Sequence, residues 1–126
     1  MKRHEAREKA LQVLFQLENT ELTINEAMGH VLEGNDAFFE KLVRGTAEKM
    51  EEIDAILIEK LENWSLNRLP KIERTILRLA VYELMFMQDI PSKVVLNEAI
   101  ELCKTFGDEK SSKFVNGVLS KFTTEK

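Results

Sequence analysis

Apolar residues along this 126-residue chain recur at helical spacing, and no stretch alternates apolar and polar residues as a strand does. From about Arg3 to Glu18, Ala6, Ala10, Val13, Leu14 and Leu17 define one buried face of a first helix. Thr23 with Glu26 three residues on has the spacing of a capping box, and predicts a second helix ending near Gly34. Asn35 or Asp36 can cap a third helix whose apolar side holds Phe38, Phe39, Leu42 and Val43. After a break near residues 50–52, Ile53, Ile56, Leu57, Leu61 and Trp64 form a fourth pattern.

The stretch from Ser65 to Pro70 is the one plausible joint. Proline disfavours helix at Leu69 and suits the first turn of a fifth helix, Lys71 to about Gln88. That helix is apolar nearly all round, through Ile72, Ile76, Leu77, Leu79, Ala80, Val81, Leu84, Met85 and Phe86, so it belongs at the centre. Pro91 ends the run. Ser92 is expected to cap a sixth helix (Val95, Ala99, Leu102, Cys103, Phe106) that stops at Gly107. Asp108 is expected to cap a seventh, with Val115, Val118, Leu119 and Phe122 inward. The pattern predicts an all-α, orthogonal bundle of about seven helices in one domain, with two packed sub-bundles, about 1–64 and 70–126.

Composition narrows the class. Hydrophobic residues make up 44% and charged residues 32%, the balance of a folded helical protein. One cysteine, Cys103, excludes an internal disulfide, as expected in a reducing cytoplasm. The charged N-terminus and the absence of any long apolar run predict a cytosolic chain with no membrane span. The net charge of −4 argues against wholesale nucleic-acid binding, but it is unevenly placed. Lys2, Arg3, His4, Arg7 and Lys9 crowd the first ten residues, and the stretch from Glu18 to Glu62 is mainly acidic.

No catalytic constellation is visible. His4 and His30 are far apart and lack metal-ligand spacing, Cys103 sits on an apolar helix face, and no phosphate loop or nucleophile elbow occurs. The expectation is a binding protein, with no enzyme activity, metal or cofactor. Arg3 and Arg7 are i, i+4 neighbours, and Leu11 and Phe15 continue the stripe. Two readings stand: a phosphate-gripping helix end with a ring for a base, or a solvated basic turn with Phe15 in the core. Phe114 lies roughly 100° off the core side of its helix, with Gly117 beside it and Lys113 and Lys121 around it. It is either a protein-binding hot spot or a ring covered by helix five or one, and Asn116 is equally two-sided.

The runs PSKVVLNEAIELCKTFG (91–107) and SKFVNGVL (112–119) closely resemble the signature of the NusB transcription antitermination family. AREKALQVLF (6–15) and ILRLAVYEL (76–84) resemble its first and central helices, in order along the chain. The resemblance implies two small helical sub-bundles. It implies binding of boxA, a single-stranded RNA signal notable in ribosomal RNA leaders, together with NusE, a small-subunit ribosomal protein. The complex joins RNA polymerase and suppresses premature termination. Carried over by position, the RNA-facing residues are Lys2, Arg3, His4, Arg7 and Phe15. His4 and Glu5 stand where the family often has arginine, and Phe15 where some members have tyrosine. The partner-facing residues are Glu73, Arg74, Lys110, Lys113, Phe114 and Asn116. The resemblance leaves a second reading, the RNA-targeting domain of an RNA cytosine methyltransferase. With no cofactor-binding domain following Lys126, a free-standing factor is expected. Monomer and homodimer, the latter with a masked RNA face, both remain open.

Overall fold

The computed structural model describes residues 1–18 and 20–123. Seven α-helices and no strands occur among them: α1 Arg3–Leu17, α2 Ile24–Val31, α3 Ala37–Glu48, α4 Met50–Lys60, α5 Lys71–Phe86, α6 Ser92–Phe106 and α7 Glu109–Thr123. A single 3-10 turn, Leu66–Arg68, leads into α5.

Local chemistry sets most of the helix starts. Thr23 and Glu26 close a reciprocal capping box on α2. Asp36 accepts from the Phe39 amide at 2.9 Å to open α3, and Asp108 from the Ser111 amide at 2.8 Å to open α7. Helix α5 starts at Lys71 as expected, and the start of α6 shifts by one residue. Pro70 and Pro91 occupy the cap positions themselves, so Ser92 is the first residue of α6 and makes no cap. Helix α2 ends at Val31, earlier than Gly34, which instead takes a positive φ of 91° in the following loop. Gly107 does end α6, through close approach: a Cβ there would lie 3.0 Å from the Cys103 carbonyl oxygen and from Ser111 Oγ.

Helix α5 is the axis of the fold, packing against α1, α3, α4, α6 and α7. Around it α1 packs on α2 and α3, and α6 pairs with α7. Helix α4 packs chiefly on α5. Leu11, Leu42, Ile53, Leu57, Ile76, Leu77, Val81 and Leu119 are fully buried, each side chain stabilising the fold by about 1.5–3 kcal/mol through removal from water. Ion pairs fasten the same axis. Arg78 of α5 grips Asp54 of α4 with two bonds of 2.8 and 2.9 Å, and Arg74 reaches Glu18, just past α1, at 2.6 Å.

Candidate nucleic-acid and partner interface

The start of α1 projects its basic residues in different directions. Lys2 stands exposed in the cap position, making no side-chain cap bond. Arg3 is exposed, and its guanidinium carbon sits 4.5 Å from the centre of the Phe38 ring, near the start of α3. His4 is exposed as well. Its Nδ1 pairs with Glu98 of α6 at 2.8 Å and its Nε2 with Glu8 at 3.6 Å. The Glu98 hydrogen bond, the largest influence, holds its pKa above the ordinary 6.5.

Arg7 departs from the expectation of an open, RNA-facing side chain. It is 2% exposed, and its guanidinium donates to Glu83 of α5 through Nε at 3.0 Å to both carboxylate oxygens and through Nη2 at 2.7 Å. A second carboxylate, Glu98, lies 3.6 Å from Nη1. The reason lies in helical geometry. Arg7 shares a stripe with Leu11 and Leu14, both buried, whereas Arg3 stands one turn earlier at the helix's exposed end. Burial, the largest influence, pushes the Glu83 carboxyl above its usual range, against the pull of Arg7. Glu83 is the one carboxylate between Ile76 and Phe86, and Arg78 in the same stretch is taken by Asp54, so a buried Glu83 requires a cation from elsewhere.

Phe15 is neither in the core nor beside Arg3. The rise of an α-helix separates the two by about 18 Å along α1. The ring is 37% exposed, lies 4.2 Å from Lys71 Nζ, and borders a shallow depression with Gln12, Gln16, Ile72 and Phe106. This depression adjoins the first turn of α5, where Glu73 sits.

Glu73 accepts from Ser111 Oγ of α7 at 3.0 Å. Phe114 follows Ser111 by three residues, one turn along the same side of α7. The Phe114 ring is half-buried, packed against the core on one side. It packs edge-to-face on Trp64, with centroids 5.5 Å apart and planes at 70°. Trp64 lies beyond the end of α4, contrary to its expected place on that helix's apolar side, and is 59% exposed. Asn63, with φ 63°, turns the chain just before it, a conformation asparagine tolerates better than most residues. Lys110, Lys113 and Asn116 are exposed on α7, and a Cβ at Gly117 would meet only open space. Sequence periodicity missed Trp64, because its pairing with Phe114 is set by tertiary structure.

Arg74 is engaged internally, contrary to its expected place on a partner-facing surface. Besides Glu18, it donates to the carbonyls of Asn67 and Leu69, both at 3.3 Å, and so locks the turn ahead of α5. Among the described residues no group of three or more His, Cys, Asp or Glu side chains is placed to hold a metal. Burial pushes the Cys103 thiol up to about 12, which leaves it protonated and unreactive. No helix among the described residues is long and apolar enough to cross a membrane.

A sequence model of the NusB family matches residues 4–124. The chain belongs to the NusB family. The transcription antitermination protein NusB of Lysinibacillus sphaericus is 72% identical over 126 residues, spanning 99% of both chains. Among solved structures, T. maritima NusB superposes with a TM-score of 0.90 at 37% identity, covering 99% of this chain and 92% of that one. A chain from the crystal structure of antitermination factors NusB and NusE in complex with dsRNA gives a TM-score of 0.86 at 34% identity, covering all of both chains. The NusB fold expected from the signature runs is therefore the fold observed.

Proposed function

We propose that the chain is an RNA-binding adaptor of transcription antitermination. It binds boxA-type RNA together with NusE and joins the antitermination complex on RNA polymerase, with no catalytic step of its own, in the cytoplasm. The observation that carries this reading is the full-length likeness to a chain of the NusB–NusE–RNA complex. The chain works as one domain, with the 3-10 turn and Pro70 marking the joint between its halves, about 1–64 and 70–126.

The surfaces divide the work. Lys2 and Arg3 present positive charge at one end of α1 and suit phosphates, with His4 beside them, paired to Glu98 and Glu8. Arg7 supports that end from inside without touching RNA. Glu73, Phe114, Trp64, Lys110, Lys113 and Asn116 make a second surface, with an aromatic pair at its centre and a polar rim, as protein-binding hot spots have. Phe15, beside the first turn of α5, fits this partner surface better than the RNA face.

Fluorescence anisotropy of a labelled single-stranded boxA-type RNA tests the reading, first with the protein alone and then with NusE added. Weak binding alone and tighter binding with NusE is expected. Because the RNA of the similar complex is double-stranded, an unlabelled duplex competitor decides which form is preferred. No binding to either form, with or without NusE, would overturn the proposal.

A further inference from the structure

Phe38 is a half-buried aromatic residue in the first turn of α3, and its ring receives two arginines from α1. The guanidinium carbon of Arg3 lies 4.5 Å from its centre and that of Arg7 5.2 Å. Two cations near one ring repel each other unless one is neutralised. Glu83 does this for Arg7, through three contacts of 2.7–3.0 Å. Arg7 thereby becomes part of the wall, and the ring's negative face is left to attract Arg3. The Asp36 cap fixes the backbone that carries Phe38 by binding the next amide, that of Phe39. Arg3 makes no direct ion pair among the described residues and feels Glu83 only at longer range, so the ring is the close contact that holds it.

We infer that Phe38 is a positioning residue for RNA binding: it holds the Arg3 guanidinium in place at the end of α1, ready for a phosphate, without contacting RNA itself. Free arginine side chains lose much rotamer freedom when they bind. A guanidinium already held over a ring loses less, and the difference appears as affinity. The inference rests on the proposed RNA face and adds α3 to the elements that build it.

A mutant cycle with the labelled single-stranded boxA-type RNA tests it. Arg3→Gln is expected to weaken binding. Phe38→Leu is expected to weaken it about two- to fivefold, the range of an exposed cation–π contact, while Phe38→Tyr keeps the ring and binds as the parent does. In the Arg3→Gln background, Phe38→Leu should cause no further loss, a dependence that a merely structural role would not produce. Equal losses from Phe38→Leu in both backgrounds, or none in either, would overturn the inference alone. Full binding by Arg3→Gln would overturn the RNA face as well. Should Phe38→Leu fail to fold, the parent protein still decides. The Arg3 side-chain protons should show upfield ring-current shifts by NMR, and random-coil shifts there would refute the stacking.

Discussion

Replacing Arg7 with Met keeps the length of the side chain and removes the charge that closes on Glu83. Glu83 is 2% exposed, and without Arg7 the charges left acting on it are Glu98, which raises its pKa, and Arg3, whose smaller pull lowers it. Removing one partner of a buried ion pair costs about 3–5 kcal/mol, a large part of the roughly 5–15 kcal/mol that stabilises a domain. For a chain of this size the thermal midpoint should fall by roughly 10–20 °C. The loss should depend on pH. Burial already holds the Glu83 carboxyl above its ordinary range, and losing Arg7 raises it further. A carboxyl raised in the folded state contributes its full stability in acid, below its unfolded-state pKa. That contribution is lost as pH rises through the folded-state value. Arg7→Met should therefore be mild in acid and severe at neutral pH, as read by urea unfolding followed by far-ultraviolet circular dichroism. Replacing both partners, as Arg7→Met with Glu83→Leu, should restore most of the stability. An Arg7→Met protein as stable as the parent at neutral pH, yet impaired in RNA binding, would refute this account and return the guanidinium to the RNA face.

Phe114→Ala and Trp64→Ala should each weaken binding to NusE by about 2 kcal/mol in calorimetry, with the melting curve little changed; parent-like affinity in both would remove the aromatic pair from the partner surface. The His4 titration, followed by NMR, should lie above 6.5 and move down in Glu98→Gln, so that the stabilisation from this pair is full below 6.5 and fades as pH rises through the raised value. A Cβ at Gly45 would overlap the Tyr82 ring, so Gly45→Ala should destabilise by about 1–3 kcal/mol, with partial recovery on adding Tyr82→Leu.

Features fixed by short-range chemistry were legible in the sequence. The caps at Thr23, Asp36 and Asp108 depend on residues within three positions, and all three form as their spacing implies. The central place of α5 followed from apolar residues on every side. The site was less legible, because its decisive contacts join distant parts of the chain. Arg3 and Arg7 lie on one stripe of α1, and what separates them is Arg3's place at the exposed end of the helix and the closing of Glu83 and Glu98 on Arg7. Arg74 and Phe114 likewise depend on Glu18 and Trp64, about fifty residues away in each case. The pairing of Arg7 with Glu83 could have been anticipated, since both interrupt apolar stripes and carry opposite charge. The turn that exposes Trp64 carried no comparable signal.

The salt dependence of RNA binding tests the central claim most directly. Affinity for single-stranded boxA-type RNA would be measured across a salt series for the parent, Arg3→Gln and Arg7→Met, at a pH where all three are folded. Loss of one phosphate contact flattens the slope of log K against log salt by about 0.7 on a single strand. The account predicts that change for Arg3→Gln and an unaltered slope for Arg7→Met. An unaltered slope for Arg3→Gln, or a flattened one for Arg7→Met, would contradict it.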